Sequence, residues 1–482
     1  MRNGMLWGAR SVLLAGPVAL AFFSGGYFDL ARTRAALVAW ALVLICAVAA
    51  ERPLARSVPA RIAVGALVAF AAWTLLSTLW TPLPGVAYHD GERVILYAGA
   101  LIAACGLLRG RVALRAVEPV VAAGVLVVIG YGLSERLLPG LLTFTHSPSA
   151  GGRLEQPITY WNATGELAAL GFVLCARLAG DATRSRGLRL AAAAAAAPLG
   201  LGLYVSFSRG ALFACAAGLV ALAVGAASRP QFRALVITTL AGGAAAAAGA
   251  GFHSVTTVYG KHATRVSDGA AALIVLVALA ALAALAQWTL CRGELSGRRS
   301  VSGVRLPRGA SALATLVVAG GFALFLAVGA KESTATPLSS GASRLTTLQS
   351  NRYEYWRVAE RAFRAEPLRG VGGGGWSVYW LRYRTFKESA QDAHSLYIQT
   401  AAELGLVGLA LLGSFLAAVA VCARRAHLRA PGMAAGLTAG FVVFAVHATL
   451  DWDWELPAVT LPALLLAGAL VALSETERAA FS

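Results

Sequence analysis

Apolar residues along this chain fall into long uninterrupted runs, near 11–28, 35–50, 61–80, 93–108, 112–133, 161–179, 190–206, 210–227, 234–251, 269–290, 310–330, 396–422, 433–450 and 457–473. A membrane-crossing helix needs about 20 predominantly apolar residues, so each run predicts one span. The pattern predicts an all-α fold: a polytopic transmembrane bundle of about 12–14 spans, with one long, partly helical extracytoplasmic loop. The implied organisation is a helical block over 1–330, the loop over 331–394 and a second helical block over 395–482. Composition agrees. Of 482 residues, 58% are hydrophobic and 13% charged, and mean hydropathy is +0.68. A soluble chain carries about a quarter charged residues. A secreted enzyme, a nucleic-acid-binding domain and a peripheral membrane protein are therefore excluded.

The formal net charge of +18 changes this picture less than it first suggests. Only three of the 41 basic residues are lysines (Lys261, Lys331 and Lys387), and the arginines sit between apolar runs rather than in basic tails. With the N-terminus inside, the inner segments hold 23 basic residues and the short outer loops hold 8. Cytoplasmic loops are enriched in Arg and Lys, so both termini are expected inside and the 331–394 segment outside. The first run follows Arg2 and Arg10 and reads as a signal anchor rather than a cleaved leader. Six scattered cysteines without a CxxC spacing read as buried small hydrophobes, not as disulfide or zinc ligands.

A loop of about 60 residues between spans is seldom idle linker. Within it, Tyr353, Trp356, Ala359 and Phe363 recur at helical spacing among charged neighbours, which predicts an amphipathic helix on the outer surface. Glu366-Pro367 ends that helix, and the glycine run 370–375 predicts a flexible turn. The chain has no GxxxxGK[ST], no HExxH and no GxSxG, so any reaction draws its energy from the substrate rather than from ATP.

Several motifs follow one another around the loop. Arg352-Tyr353-Glu354-Tyr355-Trp356 precedes Pro367-Leu368-Arg369-Gly370-Val371-Gly372, then Ala393-His394-Ser395-Leu396-Tyr397, then Glu403-Leu404-Gly405-Leu406-Val407-Gly408. Upstream lie Arg153-Leu154, Pro157, Tyr160-Trp161-Asn162-Ala163 and Ser208-Arg209-Gly210. This succession resembles the O-antigen ligase and O-antigen polymerase superfamily. The resemblance implies a metal-independent, cofactor-free glycosyltransferase of the GT-C type in a bacterial inner (plasma) membrane. Its partners would be a polyprenyl-diphosphate-linked glycan as donor, a lipid, glycan or protein as acceptor, and membrane lipids, with no nucleic acid. Carried over residue by residue, the base is His394, and Arg352 and Arg209 hold the diphosphate. One departure is Ser395, where the family usually has Asn, so the group that orients the imidazole is open.

Elementary chemistry points the same way. A sugar hydroxyl is a poor nucleophile until a base takes its proton, and histidine can do so near pH 7. Arginine keeps its charge and forks onto phosphate oxygens without a metal. Each candidate also has a structural reading: His394 as a helix cap, Arg209 as a snorkelling boundary charge, Arg352 as part of a solvated helix face. Arg153, Tyr160 and Asn162 are candidates for the substrate path, against an interfacial belt for the aromatics. Glu403 either holds an arginine in the site or caps a helix end. Asp451-Trp452-Asp453 imitates a metal- and nucleotide-binding DxD, but on the outer face, where nucleotide sugars are not supplied. His447 and Asp451, four apart on a helix, fit a proton relay or an ion site, and a polar cluster supporting the outer cavity is the more economical reading. Ligase and polymerase share donor chemistry and both stay open, as do a flippase and a noncatalytic scaffold. The pattern of the shape-and-elongation family of peptidoglycan polymerases is not found.

The expected orientation is tested by single cysteines placed at 340 and 390. Both should react with a membrane-impermeant thiol reagent in intact cells while a cytoplasmic control stays unlabelled. Protection at both sites, with labelling of the control, reverses the orientation.

Overall fold

A computed structural model describes residues 2–295, 304, 307, 309–331, 345 and 350–476. Of the 331–394 segment, residues 332–344 and 346–349, including labelling position 340, lie outside the described residues, as does Arg478. Every apolar run becomes a helix. In chain order these are α1 (Arg2–Ala21), α2 (Asp29–Ala49), α3 (Val58–Leu76), α4 (Pro84–Leu107), α5 (Arg111–Leu137), α6 (Trp161–Gly180), α7 (Arg186–Val205), α8 (Arg209–Gly225) and α9 (Arg229–Ala250). The short α10 (His253–Thr257) precedes α11 (His262–Leu295) and α12 (Ala310–Lys331). Outside the runs lie α13 (Arg352–Ala365) and α14 (Gly375–Tyr383), before α15 (Leu396–His427), α16 (Pro431–His447) and α17 (Pro457–Ser474). There is no strand among the described residues. Among those same residues, ten helices are long and apolar enough to cross a membrane, and α8 and α16 are shorter apolar helices. The chain is an all-α polytopic bundle.

Local chemistry sets several helix starts. Ser185, Ser208, Ser228 and Ser395 each accept a hydrogen bond from the backbone N–H three residues on, at the heads of α7, α8, α9 and α15. Proline occupies the first turn of α3, α4, α9, α16 and α17, where no N–H is needed. Helix α4 starts nine residues before its apolar run because its polar first turns are satisfied by neighbours: Arg93 reaches Asp90 at 2.9 Å and Glu455 at 2.5 Å. Helices α6 and α17 are buried throughout and form the middle of the bundle.

Charged residues expected on one face gather at one end. There Arg184 pairs with Glu118 at 2.8 Å, Arg177 with Asp181 at 3.0 Å, Arg189 with Glu294 at 2.7 Å and Arg109 with Glu475 at 2.7 Å. The opposite end carries a folded cap made by α13, α14 and the segment 384–395. Its own small core contains Tyr355, Val358, Ala359, Ala362, Trp376 and Trp380, with the two indoles stacked 5.8 Å apart. The buried stripe of α13 is thus Tyr355, Val358, Ala359 and Ala362, one position off the expected set. The helix packs this stripe on α14 and α15.

The glycine run is likewise a fixed element. Helix α15 breaks at Gly405 (φ 64°, ψ −161°), and the segment 367–372 docks onto the break. Leu406 N–H donates to Pro367 O at 2.9 Å and Val407 N–H to Leu368 O at 3.2 Å, while Val371 N–H donates to Ala402 O and Gly372 N–H to Glu403 O. The P-x-x-G-V-G and E-L-G-x-x-G motifs are therefore two halves of one joint, which satisfies backbone groups that a broken helix leaves unpaired. A Cβ on Gly405 would collide with the Leu368 carbonyl, and one on Gly370 with the Glu403 carbonyl. Gly405 sits in a backbone region open only to glycine, and a side chain there costs on the order of 1–3 kcal/mol before any clash. Gly405→Ala and Gly370→Ala should lower the melting temperature of the detergent-purified protein. Melting curves that match the wild type overturn this account of the joint.

Candidate functional site

Between the cap and the bundle lies a cavity of about 480 Å³, with His394, Arg352, Tyr160, Asn162, Tyr355 and Trp452 in its wall. His394 ends the cap's last segment with a left-handed backbone (φ 51°). Ser395 caps α15 and is buried, so its hydroxyl is engaged by the Ile398 N–H. The imidazole is oriented by another group: Nδ1 lies 3.1 Å from Asp451 Oδ1. The ring stacks on Tyr355 at 5.2 Å and meets Trp452 edge-on at 6.2 Å.

Asp451, in the turn after α16, is 1% exposed. Its carboxylate collects Arg352 Nη2 at 2.6 Å, Tyr160 Oη at 2.6 Å and the Trp452 N–H at 3.0 Å in addition to the imidazole. Burial alone pushes this carboxyl up, but the Arg352 guanidinium and the His394 hydrogen bond outweigh it and hold it below its ordinary range. Burial opposes the charge on Arg352, and Asp451 more than restores it. Tyr160 keeps its proton, since burial and the neighbouring Asp451 push its phenol well up; its oxygen also accepts from Asn162 Nδ2 at 2.8 Å. An ionised carboxylate only accepts hydrogen bonds. Nδ1 of neutral His394 therefore carries the hydrogen, and Nε2 keeps the lone pair.

The remaining candidates lie elsewhere. Arg153 folds over the Trp161 ring, its guanidinium 3.7 Å from the centroid, and donates to the Ala150 and Ser149 carbonyls at 2.6 Å. It backs Trp161, which does reach the cavity. Arg209 heads α8 outside the described cavity wall; its neighbour Gly210 lies against His447 and Leu450. Glu403 accepts the Trp376 N–H at 3.2 Å and lines a separate small cavity with Asp90, Arg93 and Glu455. The structure thus unites His394, Arg352, Tyr160 and Asn162, and not Arg209, Arg153 or Glu403.

Sequence reading missed Asp451 as the common partner. The available signal was its acidic pair after the thirteenth run, on the same expected face as His394. The helical spacing read for His447 and Asp451 is corrected: α16 ends at His447 and does not extend to residue 451. His447 Nδ1 instead lies 2.6 Å from Asp453 Oδ2 and 3.2 Å from Glu166 Oε2. Among the described residues, Glu166, His447 and Asp453 are the group whose ligand atoms, within 4.8 Å of one another, could share a metal ion.

A second cavity, about 840 Å³ and walled mainly by apolar residues of α1 and α2, adjoins the first and shares Ser24 and Phe28 with it. A polar chamber joined to an apolar groove suits a substrate with a charged head and a hydrocarbon tail.

No curated protein matches the chain. Residues 262–413 match the family described as O-antigen ligase. That stretch runs from the head of α11 into α15 and includes Arg352, His394 and Glu403, whereas Tyr160, Asn162, Arg209 and Asp451 lie outside it. The match covers under a third of the chain, and the motif order on either side of it agrees with the resemblance to the O-antigen ligase and O-antigen polymerase superfamily in a chain with ten helices able to cross a membrane among the described residues.

Proposed function

We propose that the protein is a GT-C-type glycosyltransferase of the bacterial inner membrane that moves a glycan from a polyprenyl diphosphate carrier to an acceptor hydroxyl at the outer face. The observation that carries this reading is the buried Asp451 carboxylate on His394 Nδ1, which leaves Nε2 free to act as a base. Nε2 takes the acceptor's hydroxyl proton as that oxygen bonds to the anomeric carbon. The bond from that carbon to the diphosphate oxygen breaks, and its electron pair leaves with the diphosphate. The imidazolium so formed faces Asp451, whose negative charge stabilises it. Arg352, in the cavity wall, supplies fixed positive charge toward the leaving diphosphate; Arg209, at the head of α8 and outside that wall, is assigned to it by the resemblance alone. The apolar groove along α1 and α2 takes the carrier's hydrocarbon chain. No metal is required in this scheme.

His394→Ala should lower transfer by about 10²–10⁴-fold, the usual worth of general base catalysis, with normal expression and membrane insertion. Asp451→Asn should fall in the same range, because an amide no longer fixes the tautomer. The assay uses purified protein, glycolipid extracted from cells lacking the chain, and the lipid fraction of those cells as acceptor. Near-normal transfer by His394→Ala overturns the mechanism and returns the flippase and scaffold readings.

Arg352→Lys and Arg209→Lys should each lose much of the activity, since lysine keeps the charge but not the fork. EDTA should leave the wild-type rate unchanged. Inhibition by EDTA that added metal reverses would refute the metal-free scheme.

A further inference from the structure

Behind Asp451 lies a buried polar group that the proposed reaction does not use. Glu166 from α6, His447 at the end of α16 and Asp453 in the following turn all have fully buried side chains. Two carboxylates and an imidazole inside a membrane bundle are costly to keep, and such groups commonly mark function. Their pairing is also incomplete. Glu166 Oε1 and Oε2, Asp453 Oδ1 and His447 Nε2 lack a hydrogen-bond partner among the described residues.

The location explains their use. Asp453 is two residues from Asp451, and its carbonyl accepts Thr460 Oγ1 at 2.8 Å. The Ala448 carbonyl accepts the Leu396 N–H at 2.9 Å, two residues after His394. The turn that carries Asp451 is thus tied to α15 on one side and to the Glu166 group on the other. His447 Nδ1, 2.6 Å from Asp453 Oδ2 and 3.2 Å from Glu166 Oε2, gives this turn a directional tether that apolar packing lacks.

We propose that Glu166, His447 and Asp453 are positioning residues that hold the turn over 448–452, so that Asp451 presents Oδ1 to His394. This rests on the assignment of His394 as the base. None of the three residues lines the cavity; they act through Asp451.

The test compares His447→Phe, which keeps a planar ring without its hydrogen bonds, and Asp453→Asn in the transfer assay. Each should lower kcat by about 10²-fold, the effect of misplacing a catalytic group by about 1 Å, with KM for the extracted glycolipid unchanged; His447→Phe should also lower the melting temperature, because it strands two buried carboxylates, and Asp453→Asn less so. In a His394→Ala background, His447→Phe should cost nothing further, because both changes remove one function. Glu166→Gln, which can still hydrogen-bond His447, should retain most activity. Wild-type kcat in His447→Phe overturns the proposal, as does a full additional loss in the His394→Ala background or failure of both single variants to fold. Stoichiometric metal in the purified wild type, by elemental analysis, also overturns it. An active His394→Ala sinks the catalytic reading itself. An inactive His394→Ala beside a fully active His447→Phe sinks only the positioning role.

Discussion

A carboxylate removed from water must be surrounded by donors, and Asp451 meets that demand with groups from three distant parts of the chain. Arg352 comes from the head of α13, Tyr160 from the segment before α6, and His394 from the end of the cap. None of these contacts is available until the bundle, the cap and the 448–452 turn have all assembled. The low-dielectric surroundings that make the charge expensive also make each of its hydrogen bonds strong and directional. The same constraint therefore closes the capped end of the bundle and fixes the imidazole.

The cap is held by a different device. Its core is a small aromatic cluster around Trp376 and Trp380, and its attachment is the backbone joint at Gly405. The joint is made of main-chain hydrogen bonds, and the Trp73 and Trp80 indoles fasten it to the bundle by donating to the Leu404 and Gly370 carbonyls. The first turns of α15, before Gly405, consequently share the geometry of the cap, and α15 as a whole packs against α3 and α17.

Hydrophobic periodicity made the helices legible, since lipid imposes one rule on every span and no competing rule intervenes. Boundaries failed where that rule weakens. The head of α4 is polar and satisfied by Glu455, a partner that hydropathy cannot see. The face of α13 was read one position off because its burial is decided by Trp376 and Trp380, not by a flat interface. His394 and Arg352 were readable through motif order around the loop. Asp451 was not, because its importance arises from distant residues, Tyr160 lying at a sequence separation of 291. Ser395 shows the reverse: a departure from the family pattern that matters less for the imidazole, since that serine serves the helix and Asp451 serves the ring.

The division of the site between segments bears on how such proteins can diverge. The family-matched stretch holds the imidazole and one guanidinium, but the carboxylate, the phenol and the amide are encoded on either side of it. Exchange of that stretch between relatives would deliver half of a charge network into a foreign setting, leaving an arginine and a histidine without their counter-ion or an aspartate without its donors. Recombination at its edges is thus penalised, and the three segments are bound to be inherited together.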